Sequence, residues 1–579
     1  MSYASSWGRV ACLCAAVFLT SDLPGRAAPE QQDVRYVALA RETFDRAFAE
    51  SPVFATQTGI HAYDRLVDDV SAAAIAAHLR SEKRALAAIG TLDPERLSPE
   101  VALDRRLLEN FLQDDLLQQG QLEMWKHNPD QYTAIASGSI FGLISRHFAP
   151  LETRMRAAVA REQQLPRFFA QAEANLTSVD AATRSVSYDD AGGAVAFFKD
   201  DVPAAFAPVK NVVLQARLRA ANSRATAALR AYTAYIGRIV PRGTFAIGKD
   251  AYAQRLRYED ELSVPLATYL AIGTRALAAT RAEFIATSRK IDPARTPEQN
   301  FAALAKVHPT PGRLKATAAE DLVRLRTFVI AHRIVTVPAD ADVEVVDTPA
   351  FERAFVSAQM DAPGVLETVA TRAYYNVTPV NPAWPAARRA GFLGQFNDFE
   401  RPLISAHEVY PGHFVNYTID KHRALSLTRR LLWNSEFGEG WAHYGEQMMV
   451  DEGWGNGDPR VRLAQLEEAL LRECRFVAGV RLHTQGWSLQ RSEELFIHAC
   501  FQPPAVALEE TMRGTQDPMY GYYTLGKLMI LKLRADYKRK LGASYTLQKF
   551  HDALLAHGDP PVPLVRPFLL GAADDHQPL

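Results

Sequence analysis

His407, Glu408 and His413 stand in the run HEVYPGHF, residues 407–414. Two histidines with a glutamate beside the first are the residue types of a zinc peptidase, in which imidazoles hold the ion and the carboxylate serves as general base. The usual spacing is H-E-x-x-H, with the histidines four apart on one helical face. Here they are six apart, which on a straight helix leaves them about 120° apart around the axis and about 9 Å apart along it. The two added residues are Pro411 and Gly412. Proline removes a helical N–H and collides with the preceding turn, and glycine accepts backbone angles closed to other residues. Together they let the chain loop out and return His413 to the place of a second ligand. Glu408 cannot share the ion with His407, because adjacent helical residues point about 100° apart, but it is placed to take a proton from a metal-activated water.

A catalytic zinc site needs a third protein ligand and leaves a fourth position to water. Further along runs NSEFGEGWAHYGEQMM, residues 434–449. On a helix Glu439, His443 and Glu446 recur at i, i+4 and i+7, a polar stripe flanked by Phe437, Trp441 and Met448. Alone, such a stripe reads as the wet face of an amphipathic helix. Beside HEVYPGH it reads as the source of the missing ligand.

The elements that must position these residues are mostly helices. RETFDRAFAE, AAAIAAHLRSEKRALAAIG, RMRAAVAREQQLPRFFAQAEANL and NVVLQARLRAANSRATAALRAYTAYIGRIV are rich in Ala, Leu and Arg, with apolar residues every three or four positions. Breaks at HNPDQY, PRGTFAIGKD and HPTPGR separate them. Strand-like sequence is confined chiefly to TFVIAHRIVTVPADADVEVVDTP and AYYNVTPV, just upstream of the motif. The expectation is a mostly α protein: a large helical body with a small sheet beside the active-site helices. Its regions are a leader (1–27), an N-terminal helical region (28–240), a middle helical region with short strands (241–345) and a zinc-binding region (346–579). The leader, with Arg9 before an apolar run from Val10 to Leu19 and a small-residue exit near Ala27, reads as a secretory signal peptide. Its apolar run is too short to span a bilayer, so the mature chain is expected to be periplasmic or secreted, without stable membrane insertion. Cys12 and Cys14 lie in the leader without the small and aliphatic residues of a lipoprotein cleavage site. Cys474 and Cys500 remain, and the sequence leaves their pairing open. Lys+Arg 65 against Asp+Glu 66 gives a net charge of −1, which offers no basic field for nucleic acid.

HEVYPGHF followed by EGWAHYGE resembles the bacterial domain-of-unknown-function 885 family, whose signature is H-E-x-x-P-G-H and then E-G-W-A-x-Y-x-E. Weaker similarities run over most of the mature chain, including ATQTGIHAYDRLVDDVS, YYNVTP and YTLGKLMILKLR. The resemblance implies a gluzincin-type zinc metallopeptidase with one zinc per chain held by His407, His413 and Glu439. His443, one turn away on the same face, is the rival ligand, and Glu446 suits a carboxylate that orients a histidine. Tyr523, in a recurrent Tyr-x-x-Gly, and His483 are the candidates to stabilise the oxyanion, each equally readable as a core residue. Arg475 matches the family while the aspartate and glycine expected near it are replaced by Gly479 and Arg481. Arg534 is a candidate partner for a substrate carboxylate.

The expected activity is hydrolysis of peptide or peptide-like amide bonds by metal-activated water with Glu408 as base. The same site would also serve a non-peptide amide or ester. A non-catalytic peptide-binding protein is the less favoured reading, since a mere metal-binding scaffold has no need of Glu408.

Overall fold

Alanine- and leucine-rich runs become helices where a cap and a break frame them. The Ser71 hydroxyl accepts from the Ala74 N–H to start Ala72–Ile89, and Asn211 accepts from the Leu214 N–H to start Val212–Arg238. The run RMRAAVAREQQLPRFFAQAEANL is split into Leu151–Glu162 and Leu165–Asn175, because Pro166 fits only a first helical turn. This computed structural model describes residues 31–349, 353 and 356–579. The expected leader, residues 1–27, lies outside the described residues.

Among the described residues the architecture is mostly α with one small sheet. Apolar side chains gather in three clusters among the described residues. One is built by helices between Val67 and Ile236, and a smaller one by Tyr36 to Leu112, against which Leu427 and Leu431 pack. The largest runs from Tyr252 to Leu570 and surrounds both motif segments.

The sheet has the order β1 (Val343–Asp347), β3 (Ala373–Val377), β2 (Ala358–Asp361). β1 and β3 run parallel with Val343 opposite Ala373, while β2 lies antiparallel to β3 with Met360 opposite Tyr375. The centre strand is the most buried, and β2 forms an edge. One expectation is corrected here, and one strand is added. TFVIA is not strand but the end of the helix Leu314–Ala331, whose apolar spacing docks Leu322, Leu325 and Val329 into the core. β2 itself went unread, since a four-residue AQMD without a β-branched side chain carries no strand signal.

Downstream, α1 (Arg401–Glu408), α2 (His413–His422), α3 (Ser435–Asp451), α4 (Pro459–Thr484), α5 (Pro504–Gln516) and α6 (Tyr522–Leu541) surround the motif residues. α3 and α6 meet through two glycines. A Cβ on Gly440 would lie 2.5 Å from the Gly526 Cα, and one on Gly526 only 1.9 Å from the Glu436 carbonyl oxygen. Cys474 on α4 and Cys500, at the end of the helix Leu489–Cys500, form a disulfide, which joins two helices of the same core.

Candidate metal centre

The motif is a helix, a turn and a second helix. α1 stops at Glu408, the Tyr410–Pro411 peptide is cis, and Gly412 caps α2, which begins at His413. Gly412 sits at φ −69° and ψ −136° where the chain turns. What excludes a side chain is proximity: a Cβ would lie 1.6 Å from the His407 carbonyl oxygen and 2.6 Å from that of Ala406. The turn folds this tightly onto the end of α1, with the Gly412 N–H bonded to the Ala406 carbonyl at 2.9 Å, and so brings the two imidazoles together. Their ring centroids are 4.9 Å apart.

α3 delivers the carboxylate between them. Glu439 Oε2 lies 3.2 Å from His407 Nε2 and 3.4 Å from His413 Nε2. One ligand atom from each of the three residues falls within 4.8 Å of the others. These separations suit a zinc-sized ion, for which tetrahedral bonds of about 2.1 Å put ligand atoms about 3.4 Å apart. Burial raises the Glu439 pKa, but His413 and His407 outweigh it and hold the carboxyl well below the usual range. Its buried Oε2 nonetheless has no hydrogen-bond partner, which fits an atom aimed at a cation.

The polar stripe of α3 is not a wet face: His443 and Glu446 are buried, and the Glu439 side chain is 18% exposed. Glu446 receives the His407 Nδ1–H at 2.7 Å on one oxygen and the His443 Nδ1–H at 3.1 Å on the other. Arg472 of α4 lies 3.5 Å from the first oxygen. Burial raises the Glu446 pKa, yet Arg472, His443 and His407 pull it well below the usual range, so it stays a carboxylate. For His407, burial lowers the pKa and its two carboxylate partners more than reverse that. His443 falls outside the three-residue cluster. Burial, with Lys527 nearby, lowers its pKa to about 3, and as a neutral imidazole it steadies Glu446.

Glu408 is half-buried, with Oε2 accepting the Met360 N–H of β2 at 2.9 Å. Tyr523 is the second residue of α6, its ring centroid 6.4 Å from that of His407. Three guanidinium groups face the Tyr523 ring: Arg475 at 5.2 Å, Arg472 at 5.4 Å and Arg513 at 5.8 Å, and Arg513 donates to its hydroxyl at 3.2 Å. Arg475 is locked by a two-bond pair with Glu510, at 2.6 and 2.7 Å.

Two expected residues have their polar groups engaged elsewhere. His483 Nε2 donates to the Gly514 carbonyl at 2.7 Å, and Nδ1 faces the Ile247 N–H at 3.4 Å. Burial lowers its pKa to about 4, so it is a satisfied core histidine with no atom left for an oxyanion. Arg534 is engaged by Tyr444, Glu452 and Tyr545, and is not among the residues lining the cavity at the cluster. That cavity, about 660 Å³, is bordered by His413, Glu439 and Met360, with Trp433, Lys421 and Arg430 on its wall. The contributions of Arg472, Arg513 and Met360 were missed from sequence. Arg472 had a signal, lying three residues before Arg475 on one helical turn, whereas Met360 meets Glu408 across 48 residues of chain.

Fold and site together define a mostly helical protein with a two-histidine, one-glutamate centre assembled across a helix–turn–helix and a second helix. The chain belongs to the DUF885 family, bacterial proteins of unknown function, which matches residues 52–568. Two solved structures share the fold. A candidate lipoprotein of unknown function from Shewanella oneidensis is 22% identical with a TM-score of 0.78, the match covering 92% of this chain and 99% of that one. A candidate lipoprotein from Colwellia psychrerythraea is 15% identical with a TM-score of 0.78, covering 94% and 100%. No curated protein matches the chain.

Proposed function

We propose that the protein is an exported zinc-dependent hydrolase that cuts peptide or peptide-like amide bonds. The observation that carries this reading is the Glu439 Oε2, buried, without a hydrogen bond, and set between two imidazole nitrogens at 3.2 and 3.4 Å. Two imidazoles and one carboxylate form the donor set of a catalytic zinc, with a fourth position left for water. When bound, zinc supplies a Lewis acid that lowers the pKa of water and polarises the carbonyl to be attacked. Glu446 fixes the His407 tautomer that turns Nε2 toward Glu439. Glu408 takes the water proton and returns it to the leaving nitrogen. Tyr523, held by Arg513, donates to the carbonyl oxygen as charge develops there. An extended peptide would lie along the edge strand β2, with Trp433 offering an apolar wall and Lys421 or Arg430 meeting a terminal carboxylate. Export is supported by the basic–apolar–small order of the leader and by the candidate lipoprotein character of the two relatives. Among the described residues no helix is long and apolar enough to cross a membrane.

Zinc analysis of the mature chain together with turnover on a mixed peptide library tests the proposal. Wild type should hold a zinc that His413→Ala loses, and Glu408→Gln should keep that zinc while turnover falls roughly 10²- to 10⁴-fold. A folded, zinc-replete chain whose zinc content is indifferent to His413→Ala would sink the metal reading. Full turnover in Glu408→Gln would sink the role of that residue.

A further inference from the structure

A second cluster of ligand-type side chains lies in the N-terminal half. His78 and Glu82 are one turn apart on the helix Ala72–Ile89, Glu50 ends the helix Gln31–Glu50, and Asp115 ends the helix Pro99–Asp115. His78 Nδ1 lies 2.8 Å from Glu50 Oε2, while Nε2 lies 3.1 Å from Asp115 Oδ2 and 3.5 Å from Glu82 Oε1. One ligand atom from each of His78, Glu82 and Asp115 falls within 4.8 Å of the others. We infer that His78, Glu82 and Asp115 hold a second divalent cation, with Glu50 orienting the imidazole.

Three observations carry this. The Glu82 side chain is only 8% exposed, and its Oε2 accepts no hydrogen bond from any group. A carboxylate oxygen buried without a donor beside another carboxylate calls for a cation or a proton. Second, the two Nε2–oxygen separations bracket the ~3.4 Å edge of a tetrahedron around an ion with bonds of about 2.1 Å. Third, Glu50 on Nδ1 selects the tautomer that presents a lone pair at Nε2. Glu446, His407 and Glu439 repeat that carboxylate–imidazole–carboxylate order at the first centre, at 2.7 and 3.2 Å. Glu50, His78 and Asp115 also line a cavity of about 600 Å³, which gives an ion a way in. One imidazole nitrogen with carboxylate oxygens suits a zinc- or manganese-type ion better than a thiolate-seeking one. Bound there, it joins the helix Ala72–Ile89, which carries His78 and Glu82, to the helix Pro99–Asp115.

The experiment uses the full mature chain carrying His407→Ala and His413→Ala, stripped with chelator and dialysed against Mn²⁺ alone or Zn²⁺ alone. This double variant should still bind one equivalent of cation, and its thermal midpoint should rise with the ion. Adding Glu82→Gln, which has the shape of the protonated acid and so preserves packing, should weaken binding about tenfold or more and remove the thermal shift. Asp115→Asn should act in the same way. Failure of the double variant to bind either ion saturably, or binding indifferent to both Glu82→Gln and Asp115→Asn, overturns the inference. Zinc lost between wild type and the double variant reports on the first centre alone, so the two readings stand or fall separately.

Discussion

At the residue scale, Gly412 shows how a position that touches no ion controls the centre. With a Cβ 1.6 Å from the His407 carbonyl, no side chain fits unless the turn opens, and opening it carries His413 away from Glu439. Gly412→Val should therefore incur an overpacking cost of about 1–3 kcal/mol. At about 1.4 kcal/mol per decade, that weakens zinc binding roughly tenfold to a hundredfold, which zinc titration of the folded variant would measure. Unchanged affinity would mean that the turn does not bring His413 to the ion. Tyr523→Phe separates chemistry from binding at the same centre. The phenyl ring keeps its place among Arg472, Arg475 and Arg513, while the hydroxyl is lost. kcat should fall about 10²- to 10³-fold with zinc content unchanged and KM little altered, as for loss of an oxyanion donor. A loss confined to KM would place Tyr523 in ground-state binding instead.

At the scale of elements, α3 and α6 are held at glycine-to-glycine distance, and this packing brings Tyr523 beside His407. Gly526→Ala forces the helices apart, because its Cβ would sit 1.9 Å from the Glu436 carbonyl, a backbone atom that cannot swing aside. The ligands lie on α1, α2 and α3, so zinc affinity should change little while turnover falls as though Tyr523 had been shifted. Steady-state kinetics beside zinc titration would show the split, and equal loss of both would mean that α3 itself has moved. EGWAHYGE and YTLGK could be read separately in the sequence. That Gly440 and Gly526 meet could not, because neither segment names its partner.

At the scale of the whole molecule, buried neutral histidines make the fold sensitive to acid. His551 donates from Nδ1 to the Ile334 carbonyl at 2.7 Å and accepts from the Tyr444 hydroxyl at Nε2, 2.8 Å away. Burial holds its pKa down to about 3, and that of His483 down to about 4, against an ordinary 6.5. Above pH 6.5 these groups are neutral both folded and unfolded, and stability does not depend on them. As pH falls below 6.5 the unfolded chain takes up protons that the folded chain refuses, so their contribution is lost progressively down to the folded values. Glu436 and Glu467, raised to about 8 by burial, act oppositely, lowering stability as pH rises from about 4.5 to 8. A difference measurement isolates the histidine: between pH 6.5 and 4.5 the urea midpoint of wild type should fall more steeply than that of His551→Gln. Parallel slopes would mean that His551 is protonated in the fold.

The sequence by itself determined the helical class, the breaks between helices and the residue types of the first centre. Each of these is local: helical spacing is written within a turn or two, and His407, Glu408, Pro411, Gly412 and His413 lie in one run of seven residues. Assigning Glu439 rather than His443 drew on the family motif; in the fold Glu439 faces both imidazoles while His443 bonds to Glu446. Only the tertiary structure decided which distant groups complete the centre. It sent Arg534 to Tyr444 and His483 to the Gly514 carbonyl, supplied Arg472 and Arg513, joined Cys474 to Cys500, and drew β2 alongside Glu408. A side chain's chemistry is written at its own position, but its partners are chosen by packing between segments far apart in the chain, and no single stretch of sequence records that choice.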